Sequence, residues 1–363
     1  MSKSQILANV TEIKFGDALE ISWDDADDED IIGLYCPAEE TDPKKFRDAV
    51  TVLQAKEMGR LTNEKRREGI LHLRSSPSPI RTDRNVWHVS PFPIIRESSC
   101  EFRHWKRMMS EDGTDTGAGA TPNFALESKT NPIAIQKYNT SITGIHLSVT
   151  NRTNEMRVHF TTGSAGTPYA IYGKNGTSST KTEFRIGSSD TYRASDMCQS
   201  PAKREEAGKF VDPGMLHTVT LDDLDYDTTY WYKVGVISEG EGEDIIDYDD
   251  ELNSVSWSDA KTFVTEPYYF QNYSFIVYGD QGAPGVGWDG GYLVTTNITA
   301  REVVHGGTRI VHIIGDVSYA SGAGHVWDSY MEMIQPFAAR VPIMAGVGEC
   351  RFCVLYFYKT QEP

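Results

Sequence analysis

Long apolar runs are missing from this sequence. No stretch reaches the roughly 18 consecutive apolar residues that a membrane-crossing helix needs, so none reads as such a span. Basic residues are also in short supply. Lys and Arg number 35 against 52 Asp and Glu, a net charge of -17. A surface of that sign repels phosphate backbones and anionic lipid, so neither nucleic acid nor a membrane is an expected partner. Cysteines are few and odd in number: Cys36, Cys100, Cys198, Cys350 and Cys353. That count predicts no disulfide framework. Cys350 and Cys353 have the spacing of a zinc knuckle, but no second Cys or His pair follows them. The opening MSKSQILANV lacks the apolar core of a signal peptide, and none is expected in it. No internal repeat of fixed period occurs.

What is present is an ordinary globular mix, 39% hydrophobic and 24% charged over 363 residues. That length has room for two or three domains. Six of the twelve Asn residues stand in N-x-S/T motifs: Asn9, Asn139, Asn151, Asn175, Asn272 and Asn297. The excess predicts a glycosylated, exported chain. Unmodified polar turns are the alternative.

Three stretches differ in character. Residues 1–130 are expected to form a β-rich domain with a charged insertion. Alternation over Leu19–Trp23 and Ile31–Tyr35 predicts strands. The acidic cluster from Asp24 to Asp30 lacks calcium-loop spacing and reads as a solvated turn. Residues 44–70 read as helical or mobile, and 113–121 as a linker. Residues 131–267 predict a β-sandwich. Its strongest piece runs from Leu221 to Val234, where Tyr230, Tyr232 and Val234 would be buried and Lys233 would face out, as in a fibronectin-type module. A strand over Ser258–Thr265 closes it, and 239–251 is a hairpin loop. Residues 273–363 change rhythm to strand, helix, strand, helix, strand. Apolar runs at Ser274–Tyr278, Ile310–Ile314 and Val341–Ala345 suit a parallel sheet buried on both faces. Helices are expected over Tyr292–Val304 and Val326–Phe337. The fold class is thus multidomain β plus α/β: two β-sandwich domains, then an incomplete α/β domain.

The first two of these parallel strands each end in a carboxylate beside glycine, Gly279-Asp280-Gln281-Gly282 and Gly315-Asp316-Val317-Ser318-Tyr319. Ligands sit beyond the carboxyl ends of strands in open α/β sheets. Adjacent strands lie about 4.8 Å apart, so two strand-end aspartates can share a metal that removes their repulsion. Tyr319, three residues past Asp316, adds a hard phenolate oxygen suited to Fe(III). Ordinary turn aspartates are the alternative.

These motifs make the chain resemble the large plant-type purple acid phosphatases, members of the metallophosphoesterase superfamily. Asp280-x-Gly282 and Gly315-Asp316-x-x-Tyr319 match the first half of that family's signature. Gly287-Trp288-Asp289-Gly290, Val326-Trp327-Asp328, Ile334-Gln335-Pro336, Asp196-Met197-Cys198 and Asp212–His217 resemble it too. The resemblance implies an acid phosphatase that hydrolyses small phosphate monoesters with a water activated by two metals, Fe(III) plus Zn(II), Mn(II) or Fe(II). Asp280 and Tyr319 would ligate the iron, and Asp316 would bridge both metals. It also implies a secreted, extracellular or vacuolar location. The third strand departs from the pattern. Glu349 and Cys350 stand where the family's Asn ligand and catalytic His are expected, and its later histidine motifs do not follow. Little or no activity is therefore expected of this chain, read as a copy cut short before the third metal motif. His325 is a candidate phosphate contact, His312 is expected in the core or at a helix interface, and His305 at a helix end. Two other readings remain open: a non-catalytic β-sandwich binding or adhesion protein with a vestigial phosphatase domain, and a nucleotide phosphodiesterase of the same superfamily.

Overall fold

The computed structural model describes residues 5–14, 17–24, 30–36, 38, 48–51, 86–89, 94, 96–108, 123–136, 141–176, 182–197, 210–238, 255–269, 274–283, 291–320, 324–346 and 348. They are mostly β-sheet with few helices. The chain divides into two units, one within Met1–Tyr138 and one within Asn139–Glu205 and Lys209–Pro363.

The first unit holds strands β1 (Ile6–Ala8), β2 (Glu12–Ile13), β3 (Leu19–Trp23), β4 (Ile31–Tyr35), β5 (Asp48–Thr51), β6 (Val86–Val89), β7 (Ser99–Met108), β8 (Asn123–Lys129) and β9 (Ile133–Ile135). One sheet has the order β1-β3-β6. The other has the order β2-β9-β7-β4-β5, with β8 also on β7. Leu19, Ile21 and Trp23 are buried while Glu20 and Ser22 are half-buried, the two-residue period of a strand with one face on a core. That core takes Ile6 and Ile21 from the first sheet and Leu34, Phe102 and Ile133 from the second.

Three expectations for this unit change. Cys36 and Cys100 form a disulfide. Their strands are neighbours in the sheet, although 64 residues separate them in sequence, so spacing gave no hint of the pair. Asp30, the last residue of the acidic cluster, is fully buried and pairs with the buried His104 at 2.8 Å, whereas Asp24 is exposed. Within the stretch read as helical or mobile, Asp48–Thr51 is a strand, because β4 offers it an antiparallel edge. Residues 44–47, 52–70, 113–121 and 239–251 lie outside the described residues.

In the second unit a four-stranded sheet has the order β10-β11-β15-β14: β10 (Thr143–Ser148), β11 (Met156–Thr162), β14 (Ser188–Asp190) and β15 (Met215–Leu221). A five-stranded sheet joins β13 (Glu183–Ile186), β12 (Gly166–Lys174) and β16 (Thr229–Ser238), with β17 (Ser256–Trp257) and β18 (Lys261–Val264) both on β16. Their shared core combines Val158, Phe160 and Leu221 with Tyr172, Tyr232 and Phe263. Tyr230, Tyr232 and Val234 are buried, and Lys233 is half-buried. The Tyr230 hydroxyl accepts the Asp225 N–H at 2.9 Å, closing the turn before its own strand.

The chain then forms a parallel sheet in the order β19 (Ser274–Tyr278), β20 (Thr308–Ile313), β21 (Ile343–Ala345), with helices α1 (Gly291–His305) and α2 (Gly324–Ala338) between the strands. Trp327, Tyr330, Ile334 and Phe337 of α2 are buried with Val311, Ile313 and Ile343. The other face is bare among the described residues, contrary to the expectation of a sheet buried on both sides. Phe275, Val277 and Ile314 are 60%, 47% and 64% exposed. His312 is half-buried beside the exposed Phe275 ring (6.2 Å) instead of in the core.

The edge strand β10 is sealed by α2. Gly144 N–H donates to Glu332 Oε1 and Ile145 N–H to Gln335 Oε1 at 2.5 and 2.7 Å. A parallel bridge between Leu147 and Pro342 continues the seal. The Tyr232 hydroxyl reaches out of the sandwich to the Ala339 carbonyl at 2.8 Å. These bonds satisfy groups that an open edge would leave to water or to another chain.

Candidate metal centre

The ends of β19 and β20 lie side by side because the strands are parallel and in register from Phe275 opposite Ile310 to Tyr278 opposite Ile313. Beyond them two backbone bonds join the loops: Asp280 N–H to the Gly315 carbonyl (3.1 Å) and Gly282 N–H to the Val317 carbonyl (2.9 Å). Asp280, Asp316 and Tyr319 are thereby brought to one end of the sheet. The Tyr319 hydroxyl donates to Asp280 Oδ1 at 2.5 Å. Asp280 is exposed, and Asp316 and Tyr319 are half-buried.

All three take backbone φ values of 56°, 45° and 52°, in the left-handed region. Among the described residues only two other non-glycine residues do so, Asp223 and Asp227. For a residue with a Cβ this conformation costs about 1–2 kcal/mol. It persists where the surroundings over-determine it, and such positions cluster at functional sites. The zippered loops supply that constraint here.

β21 brings a third loop to the same place. Gly346 N–H bonds to the Ile313 carbonyl at 2.7 Å. A Cβ on Gly348 would fall 1.9 Å from Asp316 Oδ1, so only glycine admits the Asp316 carboxylate there. Glu349 and Cys350 lie outside the described residues.

Gln281, the middle residue of the first motif, carries a role that the motif did not reveal. It is buried, and its Oε1 accepts from the Tyr278 hydroxyl (3.1 Å) and the Tyr330 hydroxyl (2.7 Å). Its Nε2 donates to Thr296 Oγ1 at 3.0 Å. The loop that holds Asp280 is thus pinned to α1 and α2 through one amide. Burial raises the Tyr278 and Tyr330 hydroxyls above their ordinary range, so they act as neutral donors.

Among the described residues no imidazole joins the cluster. His305 closes α1, and His325 lies in the first turn of α2, its side chain outside the described residues. The sandwich histidines bond to hydroxyls: His159 to Ser148 and Thr218, and His217 to Thr162 and Ser189. Burial holds His146 and His217 down at about 4 and His159 well below its ordinary value. Two carboxylates and a phenol are hard oxygen donors that fit a hard cation. Among the described residues no group of three or more His, Cys, Asp or Glu is placed to hold one. The donor set therefore fits part of one metal shell.

Residues 142–265 match the family model described as "Purple acid Phosphatase, N-terminal domain". Over this domain the chain is similar to the purple acid phosphatases. Over 212 residues, 56% of the chain, it is 28% identical to "Probable inactive purple acid phosphatase 9" of Arabidopsis thaliana. Over 244 residues, 64% of the chain, it is 26% identical to "Probable inactive purple acid phosphatase 1" of the same plant. These matches span 30% and 36% of the relatives' own lengths, about a third. A purple acid phosphatase isolated from yellow lupin (Lupinus luteus) seeds shares the fold with a TM-score of 0.65 and 20% identity, over 95% of this chain and 57% of the lupin chain. A sandwich similar to the purple acid phosphatase amino-terminal domain therefore precedes the loop cluster that holds Asp280, Asp316 and Tyr319.

Proposed function

We propose that this chain carries the first half of a two-metal phosphoesterase site and that it hydrolyses phosphate monoesters weakly or not at all. The observation that carries the reading is the left-handed backbone shared by Asp280, Asp316 and Tyr319 on two interlocked strand-end loops. Asp280 and Tyr319 would hold an Fe(III) ion, and Asp316 would face both that ion and a Zn(II), Mn(II) or Fe(II) neighbour. Such metals, when bound, polarise phosphate oxygens and lower the pKa of a water. The chain's own part is to hold three oxygens in place: Gln281 anchors the Asp280 loop, and Gly348 leaves room for Asp316.

Two observations support low activity. The donor set contains no imidazole among the described residues, and the two Arabidopsis relatives bear the name "Probable inactive purple acid phosphatase". The second of these also favours an alternative in which the chain works as a non-catalytic binding protein built on its β domains. The sandwich reads as a fibronectin-like module, supported by the Tyr230 bond that closes the turn before its strand. The Cys36–Cys100 disulfide supports passage through an oxidising compartment, in keeping with a secreted or vacuolar protein.

The test uses the purified full chain with p-nitrophenyl phosphate at acid pH, after loading with ferric and zinc ions. No turnover above that of Asp316→Asn is expected. Ferric titration is expected to raise a visible tyrosinate-to-iron absorption band that Tyr319→Phe abolishes. Turnover at the rate of a working phosphatase, lost in Asp316→Asn, would sink the claim of little or no activity, and absence of the band would sink the assignment of Tyr319.

A further inference from the structure

The N-x-S/T motifs play no part in phosphate chemistry. Four of their asparagines are described, Asn9, Asn151, Asn175 and Asn297, and all four are exposed. Asn151 differs in its surroundings. It lies in the turn between β10 and β11, which is held in one shape. The Thr150 hydroxyl accepts the Arg152 N–H at 3.0 Å and donates to Glu155 Oε2 at 3.0 Å. Arg152 pairs with Glu155 at 3.2 Å, and the Asn154 carbonyl accepts the Leu224 N–H at 3.0 Å. Thr153, the hydroxyl residue of the motif, bonds to the Tyr226 hydroxyl at 2.9 Å.

Tyr226 opens a patch of bare aromatic surface. Its ring meets Tyr268 edge-on at 5.0 Å, and Tyr268 meets Tyr269 edge-on at 4.8 Å. Tyr268 and Tyr269 are 67% and 74% exposed, so their rings face solvent. Exposed aromatic clusters are costly unless something covers them. The apolar C–H face of a pyranose suits an aromatic ring, and its hydroxyls suit the water beyond.

We propose that Asn151 carries an N-linked glycan whose first sugars rest against Tyr226 and Tyr268. The proposal rests on the reading that the chain passes through a secretory compartment. In the modification, Nδ2 of Asn151 bonds to the anomeric carbon of an oligosaccharide carried on a lipid pyrophosphate. The bond from that carbon to the pyrophosphate oxygen breaks, the lipid pyrophosphate leaves with the electron pair, and the amide loses one proton to a base. The glycan then covers the tyrosine patch and holds the β10–β11 turn.

The test expresses the full chain behind a eukaryotic export signal in cultured cells, so that its own targeting is not in question. Enzymatic release of the glycans turns each modified asparagine into aspartate, and peptide masses then read occupancy at Asn151. Nitration of Tyr268 by tetranitromethane reads the contact. Occupancy at Asn151 is expected, with Tyr268 nitrating several-fold faster in Asn151→Gln than in the glycosylated chain. Asn175→Gln, which removes a motif on a different turn, is expected to leave the Tyr268 rate unchanged. An unmodified Asn151, equal Tyr268 rates with and without its glycan, or equal unmasking by Asn175→Gln would each overturn the proposal. Modification at the other motifs with Asn151 bare would overturn it while leaving the secretory reading intact.

Discussion

Asp280, Asp316 and Tyr319 occupy backbone positions that glycine would take at lower cost, and they do so where three loops meet. Strain of this kind has a measurable sign. Asp316→Gly relieves the left-handed cost but loosens the unfolded chain. A net gain of about 0.5–1 kcal/mol in urea unfolding is expected, together with loss of ferric binding. Gln281 predicts the opposite. Gln281→Leu keeps the volume but leaves the hydroxyls of Tyr278, Tyr330 and Thr296 without their amide partner. A loss of about 1–3 kcal/mol is expected, the cost of one buried orphan at Tyr330, because Thr296 keeps its bond to the Tyr292 carbonyl and Tyr278 its bond with Thr299. The meeting of Asp280, Asp316 and Tyr319 at one end of the sheet was legible because glycine beside a strand-end carboxylate is a local pattern. Gln281 was not, because its partners lie 3, 15 and 49 residues away.

At the scale of elements, the seal between β10 and α2 is the joint that fixes the sandwich to the helices. Burial raises the Glu332 carboxyl to about 7, with Asp328 adding to the rise, while the Gly144 N–H and Lys261 pull it down. The folded value lies above the ordinary 4.5. The stability Glu332 contributes is therefore full below about 4.5 and is lost as pH rises through about 7. Glu332→Gln keeps an acceptor for Gly144 without the charge. It is expected to match the parent near pH 4.5 and to exceed it by about 1–3 kcal/mol at pH 8. The buried His146, His159 and His217 act in the other direction, losing stability as pH falls from 6.5 towards 4, so the Gln variant isolates the carboxyl. Tyr232→Phe tests the same joint without titration. Losing its bond to the buried Ala339 carbonyl should cost about 1–3 kcal/mol. The elements themselves were legible from period and length. Ser274–Tyr278 is a strand over the range its apolar run predicts, and Val326–Phe337 lies within α2. Their partners were not legible, and neither was the bare face around Phe275, because an apolar run does not say which of its faces is covered.

For the molecule as a whole, the Cys36–Cys100 crosslink closes a long loop within the first unit. Loop-closure entropy for 64 residues predicts that reduction costs that unit about 4 kcal/mol. Denaturant unfolding with and without dithiothreitol measures the loss. The likeness to purple acid phosphatases was legible in the sequence because the motifs that carry it are short and contiguous. The disulfide and the buried Asp30–His104 pair were not, because both join residues that only the sheet brings together.

The left-handed conformation at Asp280 and Asp316 also bears on how such a site decays over generations. Asparagine and glycine are the residues most at ease in that conformation. In the genetic code each is a single-base change from aspartate. A lineage relieved of selection for phosphate chemistry can therefore lose its ligands by the commonest kind of mutation, and the backbone will accept the replacements without damage. The metal chemistry proposed for this site is easily mislaid, while the backbone around it accepts the change.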